Sequence, residues 1–494
     1  MKRISLLTLI EISIIILIAV GIYGSLQLME LRAEEPRRAV IAMEMIYGKN
    51  YIVPKIFNYN YYNKPPLFNW LLVLVFRITG SFNELWVRLP SILSLFATAY
   101  FVFKITARNI NKRSGLIAAL LLLVSADILF YGTVDAGEID LFLMLLLFLQ
   151  AIAVYYYSLK QQWWRLFITS YLFMAAGILT KGLPLALIQA LLLLCWFIYI
   201  QQFKKLFSIQ HIMGMLAGFG IVYVYFAAYN QQSDVLLYLS QLLTESTQRS
   251  MLENKWSSIL FNLLQSPLQI FYICLPATAL LLYACNKKVR SSLRQNTLFM
   301  FSFIFTLIVC ITFFISPDTA NRYLYPAFPF IAIMGAVIYA KATEYLHTSK
   351  WLAGYKTLLG VFVFFAFVRI AYDVWGIPYQ QKSTARIYRD LSAQILQHTG
   401  GAPVYLTGYP QQIVNRSLLF IKMRQQVSAA PPLLPCQLPY YIGKTTGTLM
   451  RYDSLPAKGL FYLTPVNFLK DKNATVYFTF FDDWIRRDVA LVKF

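Results

Sequence analysis

Charged residues are scarce in this chain. Asp, Glu, Lys and Arg make up 13% of its 494 residues, whereas 58% are hydrophobic. A soluble protein with this composition would have too little polar surface to cover its core. Together with a mean hydropathy of +0.56, the shortage of charge excludes a soluble globular protein and predicts a multi-span α-helical membrane protein.

Cysteine and histidine are also rare, with five and three residues respectively. Four of the cysteines lie in or beside apolar segments, and only Cys436 falls in the polar C-terminal tail, so we expect no disulfide framework. Neither residue type shows the spacing of a metal site. The sequence therefore indicates no certain cofactor, although its paired carboxylates are compatible with a divalent cation.

A glycine-rich phosphate-binding loop is missing, which argues against a nucleotide-driven pump. The formal net charge of +22 does not indicate nucleic-acid binding, because the cations lie singly or in pairs between apolar runs. This distribution is typical of residues that set membrane topology and contact membrane lipids. We expect no nucleic-acid partner.

Apolar segments long enough to cross a bilayer recur along most of the chain. We predict about eleven spans, at about residues 5–25, 86–105, 116–132, 138–157, 166–180, 183–202, 209–229, 266–286, 297–315, 324–341 and 352–374. Lys and Arg concentrate in the loops that this count places inside, which predicts a cytoplasmic N-terminus and a C-terminus on the outer face. Without an organellar signal, this topology indicates a bacterial inner membrane.

The C-terminal part of the chain is polar. A helix is predicted over residues 383–397, and strands over 403–407, 475–480 and 487–494. We therefore predict a transmembrane domain over 1–375, with a first outer loop at 26–85, and a periplasmic α/β domain over 376–494.

The charges of the first outer loop stand directly beside the membrane. A short interfacial helix is predicted from Pro36, a residue suited to the first helical turn, to Gly48. A second apolar segment, residues 67–78, begins after Pro65-Pro66 and is too short to cross, so it is interpreted as re-entrant or interfacial. The alternative is a basic loop that only contacts anionic lipid headgroups, but this does not explain the Glu34-Glu35 pair.

Further ionisable residues stand at the ends of predicted spans, among them Asp140, Lys181 and Arg322. If they meet on one membrane face, they form a polar cavity suited to a lipid-linked phosphate, with cations on the phosphate and a carboxylate available for proton transfer. Each also has a simpler interpretation. Asp140 is suited to a helix N-terminus, and Arg322 and Lys64 are long enough to reach lipid headgroups.

Six short motifs follow one another along the chain: Glu34-Glu35 with Arg37-Arg38, Tyr62-Asn63-Lys64-Pro65-Pro66-Leu67, Arg88-Leu89-Pro90-Ser91, Asp140 before an apolar run, Thr180-Lys181-Gly182, and Arg322-Tyr323-Leu324-Tyr325-Pro326. Their order resembles that of the GT-C glycosyltransferases of the protein mannosyltransferase-like group, which includes bacterial aminoarabinose transferases that modify lipid A. Two residues depart from the family's pattern. Glu34 stands where Asp is usual, and Asn63 where aminoarabinose transferases often have Glu.

The resemblance implies a GT-C-type fold and a glycosyltransferase that moves a hexose or pentose from a polyprenyl phosphate to a lipid (lipid A-like) or protein acceptor, with inversion, at the outer face. It implies catalytic roles for Glu34, Glu35 and Asp140. The substrate-binding residues implied are Arg37, Arg38, Lys64, Arg88, Lys181, Arg322 and Tyr323.

Three other functions compete with this one. A flippase for a lipid-linked sugar would use a similar phosphate site but should show repeat-related halves and charges buried mid-span. In this sequence no repeat is visible and the candidate charges cluster on one face, which favours the enzyme. A ligase or polymerase for a longer lipid-linked glycan is poorly separated from a monosaccharide transferase by sequence. A non-catalytic assembly scaffold would not need the six motifs.

Overall fold

The computed structural model describes residues 6–32, 34–130, 136–248, 256–314, 320–345, 354–379, 388–409, 412–415, 426–430, 436–470, 472–482 and 486–494. The chain divides into two compact units. The first unit comprises Met1–Leu28, Arg88–Val224 and Glu245–Pro378, and the second comprises Met29–Val87, Tyr225–Thr244 and Tyr379–Phe494. The predicted domain division, 1–375 and 376–494, stays a prediction.

Most described residues are helical. The α-helices, in chain order, are Leu6–Leu28 (α1), Glu35–Tyr47 (α2), Leu67–Thr79 (α3), Glu84–Asn109 (α4), Lys112–Leu123 (α5), Ala126–Phe130 (α6), Ile139–Leu159 (α7), Trp163–Lys181 (α8), Pro184–Tyr199 (α9), Ile209–Asn230 (α10), Val235–Gln248 (α11), Trp256–Ile273 (α12), Lys287–Gln295 (α13), Thr297–Phe314 (α14), Phe328–Tyr345 (α15), Tyr355–Ala371 (α16), Tyr388–Thr399 (α17) and Gln437–Thr446 (α18). Short 3-10 helices occur at Phe203–Phe207, Thr278–Cys285, Asn321–Ala327 and Val466–Leu469, and a π-helical turn at Tyr372–Gly376.

Several helices are long and apolar enough to cross a membrane. Within the described ranges there are six by length and composition, or eight spans if each of two bent helix pairs counts as one. The prediction of a multi-pass helical membrane protein is therefore confirmed. The count of about eleven spans and the cytoplasmic N-terminus stay predictions.

Two predicted spans are not single straight helices. In place of a continuous span at 266–286, Leu264–Ile273 and Thr278–Cys285 meet at an angle of 112°. Pro276 lies in the break, where its missing N–H and its ring are incompatible with a continuing helix. The predicted span at 116–132 is likewise divided, since α5 ends at Leu123 and α6 begins at Ala126.

Helices α7 and α8 pack against each other as an antiparallel pair in the first unit. Only residues 160–162 separate α7 from α8, and the turn between them has Gln161 in the left-handed region, at φ 55°. Gln150 of α7 donates to Gln189 of α9, which in turn donates to Ser170 of α8. Because α7 and α8 run in opposite directions, the first residues of α7 lie beside the last residues of α8.

The second unit contains the strands. They are Lys55–Ile56 (β1), Tyr59–Asn60 (β2), Val404–Leu406 (β3), Gln412–Asn415 (β4), Gln426–Ala430 (β5), Phe461–Pro465 (β6), Thr475–Asp482 (β7) and Arg487–Lys493 (β8). A four-stranded sheet has the order β3-β6-β8-β7, with β3 and β6 parallel and the other neighbours antiparallel. Tyr462, Ala490 and Val492 form its buried core.

The predicted α/β character of the C-terminal region is confirmed. The strands expected over 403–407, 475–480 and 487–494 are present as β3, β7 and β8. The helix expected over 383–397 is present as α17 from Tyr388 to Thr399, and residues 383–387 of that prediction lie outside the described residues. Strands β4, β5 and β6 and helix α18 were not predicted.

The two short helices of the first outer loop also have the predicted bounds. Helix α2 ends at Tyr47 and is followed by Gly48. A Cβ atom on residue 48 would lie 2.9 Å from the carbonyl oxygen of Glu44, so there is no room for a side chain at this position. Helix α3 ends at Gly80, which adopts the left-handed φ of 62° that favours glycine. The interfacial position of both helices stays a prediction.

Candidate active site

Asp140 and Lys181 form a buried ion pair in the first unit. Asp140 lies in the first turn of α7 and Lys181 in the last turn of α8, and the ammonium Nζ donates to Asp140 Oδ1. An acid at a helix N-terminus and a base at a helix C-terminus both complement the helix dipole. Since the carboxylate of Asp140 is 4% exposed, it is a desolvated partner of Lys181 rather than a surface cap.

Gly182 makes this helix end feasible. It has φ 105° and ψ −162°, a backbone region that residues with a Cβ essentially never adopt. The chain therefore leaves α8 immediately after Lys181 and turns into α9, which begins at Pro184. Within Thr180-Lys181-Gly182, the glycine is thus needed for the turn and the lysine for the charge.

Arg322 adds a second cation to this group. Its Nη1 donates to Glu138 Oε2 at 2.6 Å, and its Nε lies 3.9 Å from Asp140 Oδ2. We call Glu138, Asp140, Lys181 and Arg322 the helix-end cluster. Two carboxylates and two cations balance formally, and Arg322, with 34% of its side chain exposed, is the most accessible of the four.

An aromatic ring borders the helix-end cluster. The ammonium of Lys181 lies 4.3 Å from the ring centroid of Tyr323, and the guanidinium carbon of Arg322 lies 6.0 Å from it. These distances are within the range of cation–π contacts. Phe313 stacks on Tyr323 with 5.9 Å between ring centroids, so the tyrosine is held from one side while it faces the cations.

A buried carboxylate supports the 3-10 helix that carries Arg322 and Tyr323. Asp127 of α6, which is 1% exposed, accepts hydrogen bonds from Asn321 Nδ2 at 2.7 Å and from Tyr325 OH at 2.6 Å. Gln269 of α12 donates to Asn321 Oδ1 at 2.5 Å. Residues on both sides of Arg322 are thus fixed to one acid, which restricts the position of the guanidinium between them.

Arg88, also predicted to bind substrate, is fully buried. Its Nη1 donates to the carbonyl oxygen of Leu26 in the last turn of α1, a position where a helix lacks intrahelical partners for its carbonyl groups. Three residues further along α4, Ser91 donates to the carbonyl oxygen of Glu138 at 2.7 Å. Arg88 thus binds to the backbone of α1, and its assignment to donor phosphate stays a prediction.

In the second unit, the charges of the first outer loop form a local cluster. Arg37 Nη1 donates to both carboxylate oxygens of Glu34, at 2.7 and 2.8 Å, and Arg38 Nη2 lies 3.4 Å from Glu34 Oε2. We call Glu34, Arg37 and Arg38 the loop cluster. The guanidinium carbon of Arg38 lies 5.5 Å from the ring centroid of Tyr61. The carboxylate of Glu34 thus has a guanidinium group on each of two neighbouring arginines as its partner.

Glu35 and Lys64 are the remaining predicted site residues of the second unit, and each takes part in a hydrogen bond that involves a backbone group. Glu35 is fully buried, and its Oε2 accepts the backbone N–H of Arg32 at 2.9 Å, just before α2. The carbonyl oxygen of Lys64 accepts the hydroxyl of Tyr238 at 2.9 Å, and Pro66 follows as the N-cap of α3. The catalytic role of Glu35 and the phosphate-binding role of Lys64 stay predictions.

Three residues that hold the site of the first unit together have no role predicted from the sequence: Glu138, Asp127 and Asn321. Glu138 is an ionisable residue at the start of a predicted span, but no motif marks it, and no motif marks Asp127 or Asn321. Asp127 is an acid in the apolar run of residues 116–130, and a charge in such a run is a usual sign of a buried polar contact. Across the residues described, no group of three or more His, Cys, Asp or Glu is placed to hold a metal ion.

Comparison with known protein families agrees with the predicted resemblance. Residues 63–228 match the model of the dolichyl-phosphate-mannose-protein mannosyltransferase family. An undecaprenyl phosphate-α-4-amino-4-deoxy-L-arabinose arabinosyl transferase of Erwinia tasmaniensis is 28% identical over 188 residues, which cover 36% of this chain and 33% of that protein. An uncharacterised protein of Aquifex aeolicus is 30% identical over 162 residues, covering 33% and 36% of the two chains. The alignments thus span about a third of these relatives.

Solved structures extend the likeness to nearly the whole chain. ArnT from Cupriavidus metallidurans, crystallised with undecaprenyl phosphate, has a TM-score of 0.67 at 15% identity, with 97% of each chain covered. Its apo form has a TM-score of 0.68 at 14% identity and the same coverage. At this level of identity the likeness establishes the fold. The chain is a multi-pass membrane protein with the fold of the GT-C glycosyltransferases, and it is similar to their protein mannosyltransferase-like and aminoarabinose transferase-like group.

Proposed function

We propose that this protein transfers a sugar from a polyprenyl-phosphate donor to a lipid or protein acceptor at the outer face of a bacterial inner membrane. The observation that carries the proposal is the helix-end cluster, in which Lys181 and Arg322 are held by buried carboxylates. Cations placed in this way are suited to a phosphate that gains charge as it leaves the sugar. The family match and the aminoarabinose transferase relatives support the same reaction class.

The cations of the helix-end cluster have hydrogen-bonding capacity beyond their carboxylate partners. An ammonium has three donors and a guanidinium has five, whereas the contacts of Lys181 and Arg322 with Asp140 and Glu138 use only part of that number. A phosphate can therefore be bound without first breaking the ion pairs. Asp140 and Glu138 then act by fixing the cations in position, which limits the reorganisation required when the phosphate binds.

The proposed reaction is a single displacement. An acceptor oxygen attacks the anomeric carbon, the bond from this carbon to the phosphate oxygen breaks, and polyprenyl phosphate leaves as an anion. A phosphate is already a good leaving group, so the positive charges of Lys181 and Arg322 replace a strong general acid. One displacement inverts the anomeric centre, because no second carboxylate is required as nucleophile.

Glu34 is proposed to contact the acceptor. Both of its carboxylate oxygens accept from Arg37, and one also accepts from Arg38, so the carboxylate is already held in place by two cations. These contacts favour a positioning role, as required for an acceptor that is itself a phosphate. An acceptor hydroxyl would instead require Glu34 to take up the proton that is released.

A transfer assay tests the proposal. Purified protein is incubated with radiolabelled polyprenyl-phosphate sugars, both pentose and hexose, and with extracted envelope lipid and protein as acceptors. We expect label in one acceptor fraction with wild type and its loss with Lys181→Ala. Lys204→Ala is the matched control, since Lys204 is an exposed lysine on the 3-10 helix Phe203–Phe207. Donor that binds but is never transferred, and that crosses the bilayer of vesicles, would contradict the proposal in favour of a flippase.

A further inference from the structure

The second unit contains a cavity of about 500 Å³ that has no part in the reaction proposed above. It is lined by the C-terminal half of α2, the β1–β2 hairpin, and the segments around β3 and after α18. Its volume lies within the usual range for small-molecule sites, roughly 300–1,000 Å³. It shares no residue with the helix-end cluster or the loop cluster.

Three charged side chains line this cavity: Glu44, Lys55 and Arg451. Lys55 lies in β1 and pairs with Asn60 of β2. Arg451 is fixed through its backbone, because its carbonyl oxygen accepts the N–H of Leu406 in β3 at 2.8 Å. Two of the three charges therefore stand on hydrogen-bonded backbone, and the third stands on a helix, so the backbone that carries each charge is held in place.

Helix α2, which carries Glu44, is packed closely against α18. A Cβ on Gly443 of α18 would lie 3.2 Å from the terminal methyl group of Met43, which leaves little space between the two helices. The hydroxyl of Tyr441, also on α18, accepts the N–H of Leu31 at 3.0 Å. These contacts hold helix α2, which carries Glu44, close to α18 and to the residues after it that also line the cavity.

The turn of the β1–β2 hairpin presents a backbone donor to Glu44. Phe57 and Asn58 both have left-handed φ angles, of 54° and 69°, which is costly for a bulky residue such as phenylalanine. The ring of Phe57 is buried, and its burial offsets that cost. In this conformation the N–H of Asn58 donates to Glu44 Oε1 at 3.4 Å.

The electrostatics of the cavity favour an anion. Burial raises the pKa of Glu44 to about 7, although the N–H groups of Asn58 and Phe57 and the charges of Lys55 and Arg451 act in the opposite direction. Near neutral pH, Glu44 is therefore protonated in part of the molecules. Two cations face at most one negative charge, so the lining carries a net positive charge.

We infer that this cavity binds a phosphorylated sugar. Lys55 and Arg451 supply charge-assisted donors for the phosphate. Glu44 and Asn58 supply the polar groups that sugar hydroxyls need, and the protonated carboxyl group of Glu44 can also donate. Tyr405, which lines the same cavity, offers an aromatic surface to the apolar face of a sugar ring. Neither a neutral sugar nor inorganic phosphate alone uses all of these groups.

Calorimetric titration of the full chain in nanodiscs tests the inference with three probes: glucosamine 1-phosphate, glucosamine and inorganic phosphate. We expect saturable binding of the sugar phosphate, about tenfold tighter than binding of either other probe. Arg451→Ala and Lys55→Ala should each weaken its binding by about tenfold or more. Lys458→Ala, which changes an exposed lysine outside the cavity, should leave it unchanged.

A variant of the helix-end cluster separates this site from the donor site. Binding that survives Lys181→Ala and is weakened about tenfold or more in Arg451→Ala supports the inference, whereas the reverse pattern overturns it by placing the probe at the helix-end cluster. Absence of binding to wild type would also overturn it. If Arg451→Ala fails to fold, Arg451→Lys takes its place, because lysine keeps the charge but lacks the planar guanidinium group. We expect Arg451→Lys to bind glucosamine 1-phosphate more weakly than wild type. Unchanged binding would contradict the inference.

Competition identifies the source of the sugar phosphate. Vesicles with phosphatidylinositol 4-phosphate present a phosphorylated ring on a lipid, and phosphatidylcholine vesicles serve as the control. Displacement of glucosamine 1-phosphate by the first vesicles alone assigns the cavity to a lipid headgroup, and a lack of displacement assigns it to a free sugar phosphate. Since all these measurements record binding without transfer, they remain interpretable if the proposed function fails.

Discussion

The helix-end cluster and the loop cluster both pair carboxylates with Lys or Arg side chains, but they are assembled over different distances along the chain. In the loop cluster, Glu34 pairs with residues three and four positions later, a spacing at which side chains on a helix are neighbours. In the helix-end cluster, Asp140 pairs with Lys181 and Glu138 pairs with Arg322, across gaps of 41 and 184 residues. The first arrangement depends on one helix turn, and the second on the packing of several helices.

The carboxylates of the helix-end cluster are also more deeply buried than the carboxylate of the loop cluster. The carboxylate of Glu34 is 32% exposed, whereas those of Asp140 and Glu138 are 4% and 9% exposed. A desolvated carboxylate that loses its cation leaves an unpaired buried charge, which is costly, whereas an exposed one is rehydrated. We therefore expect the helix-end cluster to respond more strongly to substitution than the loop cluster.

Lys181→Ala should have the largest effect. It removes a cation proposed to stabilise the departing phosphate and also leaves Asp140 buried without its partner. We expect the rate of sugar transfer to fall by about 10³-fold, since loss of one preorganised donor costs about 10²–10³. Initial rates with radiolabelled donor measure this. A fall no greater than that of Lys204→Ala would remove the helix-end cluster from the reaction.

Glu34→Gln tests the loop cluster. Glutamine keeps an oxygen that can accept from Arg37 but loses the negative charge, so a positioning role should cost about 10-fold and a general-base role about 10²–10⁴-fold. The pH profile of the transfer rate separates the two. A rate that rises with pH in wild type and becomes flat in Glu34→Gln would indicate a base, contrary to the positioning role we propose.

Asp127→Asn tests whether the helix-end cluster depends on residues that support it. Asp127 accepts from residues on both sides of Arg322, and a neutral amide satisfies them less well. We expect donor KM to rise with a fall of about 10-fold in kcat/KM. The effects of Asp127→Asn and Arg322→Lys should be less than additive in a double-mutant cycle. Full additivity would mean that Asp127 does not act through Arg322.

Glu44→Gln should have the smallest effect. The folded protein raises the pKa of Glu44 from its ordinary value of 4.5 to about 7, so the ionised form destabilises the folded state as pH rises between these values. Glutamine removes this cost. The melting temperature of the variant should exceed that of wild type by roughly 1–3 °C at pH 8 and match it near pH 4.5. An equal difference at both pH values would contradict the assigned ionisation.

The sequence predicted the features that depend on short stretches of chain. Pro36 and Gly48 indicated both ends of α2 within a residue, and Gly80 indicated the end of α3, because such residues act through the local backbone. It did not predict the break at 273–278. A run of apolar residues indicates length and burial, but whether such a run continues as one helix depends on its neighbours and on Pro276.

For the candidate site, the sequence indicated which residues carry charge but not how they pair. Asp140, Lys181 and Arg322 were selected because ionisable residues at span ends are uncommon, and the structure joins them into one cluster. Arg88 was selected on the same ground, yet its guanidinium binds a backbone carbonyl of α1. A charge beside an apolar run does not reveal whether its partner is a ligand or the protein itself.

What the sequence alone determined is the membrane class and the extent of the two short helices of the first outer loop, because composition controls the first and local Pro and Gly residues control the second. Only the tertiary structure decided that α7 and α8 bring Asp140 to Lys181, that Asp127 holds the segment carrying Arg322, and that Glu44, Lys55 and Arg451 share one cavity. These contacts join residues far apart in the chain, and they form only when packing of the apolar helix and sheet faces fixes the positions of the backbones that carry them.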